Sequence, residues 1–239
     1  MTTLGIILAR GGSKGLPDKN GLLVADRPML VWTIEHAMRS RSLRHTVLST
    51  DTPTYKQIAQ EHALHVIDRP ETLAADAATV DAAARHALEI VEAERGAPYD
   101  NVVILYGNVP VRPVNLTDRA VAKLHETGCD SVQSICPVDK MHPYWMKKLA
   151  GNTGDRLEQY QDNIVYRRQD LPPVYMLDGG VIAVTRASLF NVVEGQPHAF
   201  LGNDRRAIVT QAGEVIDVDS ELDRKLAEIV LREGWTPTA

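Results

Sequence analysis

The chain is short of thiols, of long apolar runs and of excess positive charge, and each shortage removes a class of function. Only two of its 239 residues are cysteine, Cys129 and Cys136. Six residues lie between them and no third cysteine follows, so the spacing supplies no zinc framework. Buried free thiols in a reducing cytoplasm are the expected arrangement. No stretch reaches the roughly 18 apolar residues of a membrane span, and no membrane partner is expected. The opening run Met1–Ala9 enters a Gly-rich loop, as a strand does and a secretory leader does not. Lys and Arg number 26 against 31 Asp and Glu, for a net charge of −5. That balance lacks the basic footprint of a nucleic-acid binder. It leaves room for a small anion held by local cations and backbone N–H groups.

Hydrophobic residues make up 44% of the sequence and charged residues 24%, which suits one soluble α/β domain over 1–239. Strand-like runs at 4–8, 46–49, 65–67, 102–105 and 131–135 alternate with helical spacing at 28–38, 53–62, 79–94 and 116–125. This rhythm predicts a mostly parallel sheet with right-handed crossovers. Ligands of such sheets sit beyond the carboxyl ends of the strands, here after Leu8, Ser49, Ile67 and Leu105. The rhythm breaks at about 137–173, which reads as a protruding arm. Strands at 179–184, 207–209 and 214–218 and a helix at 221–231 complete the expected order.

The first loop, Leu8-Ala-Arg-Gly-Gly-Ser-Lys-Gly-Leu-Pro-Asp-Lys-Asn20, places Arg10, Lys14 and Lys19 among glycines. Successive N–H groups in such a turn form an anion nest, and with three cations they suit a triphosphate. The loop is neither a Walker motif nor the G-x-G-x-x-G dinucleotide fingerprint. The segment from Ile6 to Asn20 resembles the N-terminal signature of the acylneuraminate (CMP-sialic acid) cytidylyltransferases, of which CMP-Kdo synthetases are more distant relatives. Four further stretches resemble that family in order: Ser49-Thr-Asp51; Asp68-Arg-Pro-Glu-Thr-Leu73 with Asp76; Arg167-Arg-Gln-Asp-Leu-Pro172; and Ile216-Asp-Val-Asp-Ser-Glu-Leu-Asp223.

The resemblance implies a Rossmann-like α/β fold of the nucleotide-diphospho-sugar transferase type, with helices on both faces of the sheet and a homodimer paired through the arm. It implies transfer of CMP from CTP to a small sialic-acid-like sugar acid, with Mg²⁺ and release of pyrophosphate. It places Leu8, Ala9, Arg10, Asn20 and Arg69 around the nucleotide, and the catalytic cations at Lys19, Arg10 and Lys14. Lys19 is the favoured stabiliser of charge at the α-phosphate. Metal ligation falls to Asp217 and Asp219, whose i, i+2 spacing puts two hard carboxylates on one face of a strand.

Substrate contacts are expected from Tyr106, Asn108, Arg167 and Asp178. Guanidinium pairs bidentately with a carboxylate, so Arg167 suits an acidic acceptor. Two segments depart from the family. Where it has Q-P-T-S-P-L-R, this chain has Tyr106-Gly-Asn-Val-Pro-Val-Arg112, and where it has R-P-N-G, this chain has Leu177-Asp-Gly-Gly180. A carboxylate at Asp178 facing an anionic sugar would repel it, which predicts an unusual acceptor. Another nucleotide, a sugar phosphate or phosphonate acceptor, and an idle nucleotide-binding relative stay open at this level.

Overall fold

The computed structural model describes residues 1–151 and 154–234; Asn152 and Thr153, inside the expected arm, and residues 235–239 lie outside the described residues. The chain opens with β1 (Thr3–Leu8), the short pair β2 (Leu23–Val24) and β3 (Arg27–Pro28), α1 (Met29–Arg39) and β4 (His45–Thr50). It continues through α2 (Pro53–Glu61), β5 (His65–Asp68), α3 (Glu71–Ala74), α4 (Val80–Arg95) and β6 (Asn101–Tyr106). Then come α5 (Leu116–Thr127), β7 (Ser131–Pro137), the arm hairpin β8 (Lys147–Ala150) and β9 (Arg156–Gln159), and β10 (Tyr175–Thr185). The end is α6 (Arg186–Leu189), β11 (Arg205–Val209) and α7 (Glu221–Glu233).

Seven strands form one sheet in the order β11-β7-β10-β6-β1-β4-β5. Only β10 runs against its neighbours β6 and β7; every other pairing is parallel. The sheet therefore matches the mostly parallel architecture expected from the alternating pattern. Period-2 alternation along the strands sends their side chains to opposite faces. Ile7, Val103 and Leu105 pack with Leu30, Ile34, Tyr55 and Leu124 of α1, α2 and α5. Leu4, Ile6, Val102 and Ile104 pack with Ala84, Leu88 and Val91 of α4. The central strands are buried on both faces, which is why they read as unbroken aliphatic runs.

Two expectations need correction. The segment 214–218 is not a strand of the sheet; it is extended chain touching its neighbours only through isolated bridges, Val111 with Ile216 and Ala212 with Val215. Ile216 and Val218 are nonetheless buried against Val24, Met29 and Ala227, so apolar packing and not a ladder holds it. Strand β10 is longer than expected, because its first residues pair with Cys136 and Pro137 at the root of the arm. Its register slips between Leu177 and Ile182, and such a bulge re-aims side chains where it falls.

His36 on α1 is buried, with Nε2 2.8 Å from the Thr117 hydroxyl. Burial, then the nearby Arg112 cation, lowers its pKa from 6.5 to about 3 against a smaller opposing pull from Asp118. Between those values the unfolded chain takes up a proton that the folded chain refuses. The contribution of this neutral histidine is thus complete above about pH 6.5 and is lost as pH falls toward 3, by up to roughly 5 kcal/mol. Denaturant unfolding at pH 7 and pH 4 should show a smaller acid loss for His36→Leu than for the parent chain. Equal losses would remove His36 as the responsible group.

Candidate active site

The chain winds from β1 outward through β4 and β5, then returns so that β6 lies on the other side of β1. Leu8 pairs with Tyr106 at the carboxyl ends of those two strands. Open α/β sheets bind ligands at this reversal of strand order. A cleft of about 340 Å³ opens there, lined by Leu8, Arg10, Ser13, Lys14, Lys19, Asn20, Arg69, Tyr106 and Asn108. The structure thus brings together most of the residues expected at the nucleotide. The backbone packs tightly beneath them: a Cβ on Gly107 would stand 2.8 Å from Asn20 Oδ1 and 2.9 Å from the Ala9 methyl, so only glycine fits.

Asn20 is buried; its Nδ2 donates to the Arg10 carbonyl (3.3 Å), while its Oδ1 has no protein partner. Arg69 arrives from the end of β5, donating from Nη2 to the Ser49 carbonyl (2.7 Å) and from Nε to the Ser49 hydroxyl (3.1 Å). Burial brings its pKa down to about 10, with Asp51 pulling the other way. Leu8 and Ala9 are less available than expected. The Ala9 N–H donates to the Ser49 carbonyl (3.2 Å) and the Leu8 carbonyl accepts from Gly107 N–H (3.0 Å). The Ala9 N–H and the Leu8 carbonyl thus already have backbone partners, Ser49 and Gly107.

The three loop cations are paired with carboxylates. Arg10 and Lys14 both contact Asp76, at 3.0 and 2.5 Å. Their hydrogen bonds, that of Lys14 first, hold the Asp76 pKa below the usual range. Lys19, mostly covered, pairs with Asp219 Oδ1 at 2.7 Å.

Asp217 and Asp219 lie on the extended segment before α7. Asp217 Oδ1 accepts from Asn108 Nδ2, which also donates to the Val218 carbonyl (3.2 Å). Burial first, and then repulsion from Asp219, raises the Asp217 pKa to about 6 despite Lys19 and Arg112. Gly179, with φ +75°, leaves open the space beside Asp217 Oδ2, where a Cβ would come within 3.1 Å. Two hard oxygen donors that repel each other beside a small unfilled space fit a magnesium site completed by phosphate and water. Among the described residues, no group of three or more His, Cys, Asp or Glu is placed to hold a metal. Asp223 is more than surface. Its Oδ2 accepts from the N–H groups of Ser220 (2.8 Å) and Asp219 (3.2 Å), closing a capping box that fixes the backbone at Asp219.

A second cavity, of about 400 Å³, adjoins the first and shares Ala78, Thr79, Val80 and Tyr106 with it. Val181, Ile182, Phe200 and Leu201 make its apolar wall; Gln133, Ser134, His198 and Arg205 add polar groups. Sequence reading missed most of this wall, because residues 197–205 carry no motif. Of the four expected substrate residues only Tyr106 lines it; Asn108 lines the first cavity, and Asp178 and Arg167 line neither. The Asp178 carboxylate is turned into the bulge of β10, where it accepts from the Gly180 N–H (2.9 Å), the Thr210 hydroxyl (2.6 Å) and the Ser134 hydroxyl. It therefore braces β10 and does not confront an acceptor, and the repulsion argued for it has no geometric basis. Arg167 lies on the arm, exposed, with Nε donating to the hydroxyl of adjacent Tyr166 (3.0 Å). Tyr106 borders both cavities, and burial pushes its hydroxyl up to about 12, so it stays protonated.

A sheet of this order with a cation-lined cleft at its switch point defines a nucleotide-binding α/β protein. The chain belongs to the cytidylyltransferase family, whose profile matches residues 4–187. It is 28% identical over 232 residues to "Post-translational flagellin modification protein B" of Campylobacter coli, covering 95% of this chain and 94% of that one. It is 28% identical, again over 232 residues, to the CMP-N,N'-diacetyllegionaminic acid synthase of Legionella pneumophila, with 95% of each chain covered. It is 32% identical over 183 residues to the N-acylneuraminate cytidylyltransferase of Streptococcus agalactiae, where the match takes in 76% of this chain but only 43% of that protein. The fold is shared with CMP:2-keto-3-deoxy-manno-octonic acid synthetase complexed with CTP, at TM-score 0.72, 16% identity and coverage of 98% and 100% of the two chains.

Proposed function

We propose that the chain transfers CMP from CTP to a sialic-acid-like nonulosonic sugar acid, with release of pyrophosphate. The observation that carries this reading is the pair of joined cavities. One is lined by Arg10, Lys14, Lys19 and Arg69, and the other is largely apolar with a few polar groups, and they meet at Tyr106. The first has the charge for a triphosphate, the second the character and size for one sugar-sized molecule. Relatives named for legionaminic, N-acylneuraminic and pseudaminic acids support the acceptor class.

In this reading Arg10, Lys14 and Lys19 hold the phosphates, and Asn20, whose Nδ2 grips the Arg10 carbonyl, holds the loop in place beneath them. An acceptor hydroxyl in the second cavity forms the new O–P bond at the α-phosphorus as the bond to the bridging oxygen of the β-phosphate breaks; pyrophosphate leaves and the hydroxyl proton passes to solvent. Such transfer depends on positioning and on fixed charge. Asp217 and Asp219 would hold the metal. When bound, Mg²⁺ supplies Lewis-acid stabilisation of phosphate charge. Lys19, tethered by Asp219, supplies a cation that needs no reorganisation.

The arm exposes Met146, Leu149, Leu157, Tyr160, Ile164 and Tyr166, more apolar surface than an isolated hairpin keeps in water. A second copy covering this surface is the proposed homodimer, and Arg167 and Lys148 would then act on the partner's site. Among the described residues no helix is long and apolar enough to cross a membrane.

The deciding experiment is pyrophosphate release with each of the four NTPs and Mg²⁺ against a panel of keto sugar acids, sugar phosphates and phosphonates. Release with CTP and a nonulosonic acid alone supports the reading; release with a sugar phosphate or another nucleotide replaces it. A smaller effect is expected at Asp76, whose carboxylate occupies two cations that a triphosphate needs. Asp76→Asn should tighten CTP binding about threefold, as suits exposed ion pairs, with the gain shrinking at high salt. Weaker binding in calorimetry would mean that Asp76 organises the loop instead of competing with phosphate.

A further inference from the structure

Arg112 is a cation turned inward with no carboxylate in contact. It stands in the loop after β6, half-buried, and its guanidinium spreads over four acceptors from three segments. Nε donates to the Gly180 carbonyl (2.7 Å), Nη2 to the Tyr106 carbonyl (2.8 Å), and Nη1 to the Thr33 hydroxyl (2.9 Å) and the Val109 carbonyl. Asp217 and Asp178 are felt only at longer range. Withdrawing a charge from water without an ion partner is costly, and a loop could be tied down by a neutral side chain at less expense. What a neutral side chain lacks is five donors in a rigid planar fork.

These three segments, α1, the turn at 106–109 and β10, meet at the site. Tyr106 is part of the wall common to both cavities. Gly180 follows Gly179, which lines the second cavity and abuts Asp217. Between Tyr106 and Val109 lies Asn108, whose amide grips Asp217 and whose carbonyl accepts from Val218 N–H (2.9 Å). Thr33 anchors the fork to α1 and itself donates toward the carbonyls of Tyr106 (3.2 Å) and Val109 (3.1 Å). Here β10 pairs with β6 only from Ile182 onward, and its register against β7 slips just before that residue. The fork spans the two strands where ladder hydrogen bonds are missing.

We propose that Arg112 is a positioning residue for the transfer step: its guanidinium sets the distance between the acceptor wall at Gly180 and the nucleotide wall at Tyr106. This inference rests on the proposed cytidylyl transfer. Arg112 touches neither substrate, so its loss should change how the bound reactants are aligned more than how tightly CTP is held.

The test compares Arg112→Met and Arg112→Lys with the parent chain in kcat, acceptor KM, CTP affinity by calorimetry, and amide exchange at residues 107–109 and 179–181. For folded Arg112→Met, kcat should fall roughly 10²-fold, the cost of a misplacement near 1 Å, with CTP affinity within about threefold. Arg112→Lys, which keeps the charge without the fork, should also be impaired, and should serve if the methionine variant does not fold. Added guanidinium ion should restore part of the rate to Arg112→Ala. A merely structural role would lower the unfolding temperature and leave kcat of the folded enzyme unchanged; that result, or equal losses in kcat and CTP affinity, overturns the proposal. A parent chain that releases no pyrophosphate refutes the proposed activity instead. Amide exchange still decides Arg112 in that case: both segments loosen together if the fork couples them, and unaltered exchange in either segment overturns the coupling.

Discussion

Asp217→Asn should cut Mg²⁺-dependent pyrophosphate release about 10³-fold while leaving the unfolding temperature at or above that of the parent chain. Both halves follow from one environment. Burial and the neighbouring Asp219 carboxylate make the charged form of Asp217 costly in the ligand-free protein, which raises its pKa to about 6. A neutral amide of the same shape removes that cost, and its Oδ1 can still accept from Asn108. The fold therefore loses nothing, whereas in the proposed site the metal would lose an anionic ligand worth several kcal/mol of transition-state stabilisation. Asp219→Ala should act in the same direction and also frees Lys19 from its 2.7 Å partner. Turnover titrated against Mg²⁺, alongside thermal unfolding, reads both effects. Survival of metal-dependent activity in both variants would place the metal elsewhere.

Lys19→Met should lower kcat by about 10²- to 10³-fold, the usual loss when one fixed stabilising group is removed from a transition state, and weaken CTP binding by less than tenfold. The asymmetry has a structural origin. Arg10, Lys14 and Arg69 remain in the same cleft, so ground-state attraction for the triphosphate is shared among several cations. Lys19 differs in being mostly covered and tethered to the segment that carries the carboxylate pair. Charge developing during transfer is felt most by a cation held still in a partly dry site. Single-turnover rates with CTP affinity measured separately check this. Equal losses in the two quantities would make Lys19 one phosphate ligand among several.

The core of the fold was legible because its strands are continuous aliphatic runs, such as Val102–Leu105, separated by helices with clear 3.6-residue spacing such as Val80–Arg95. The cation loop was legible because its chemistry is contiguous in sequence. Asp178 shows the limit: sequence gives its charge but not its direction, and the partners that capture it, Ser134 and Thr210, are 44 and 32 residues away. The segment ending at Val218 was misread for a related reason. Its branched residues, Val215, Ile216 and Val218, have strand character, but it meets its neighbours only through isolated bridges at Val111 and Ala212. The apolar cavity escaped notice because its wall is assembled from α4, β7, β10 and the stretch before β11, none of which carries more than a few of its residues. Arg112 could be flagged as a position but not as a hub, since its acceptors are mostly backbone carbonyls that every residue possesses.

The placement of β6 beside β1 also governs how the protein comes into being. Leu8 meets Tyr106 only after nearly a hundred intervening residues have been made, and a parallel pairing across such a span forms slowly. During synthesis the basic loop emerges early, attached to a half-sheet that has no cleft. CTP cannot act as a template for that nascent half, because the wall it would lean on does not yet exist. It can only lock the finished molecule, so added nucleotide should slow unfolding and leave the rate of refolding unchanged.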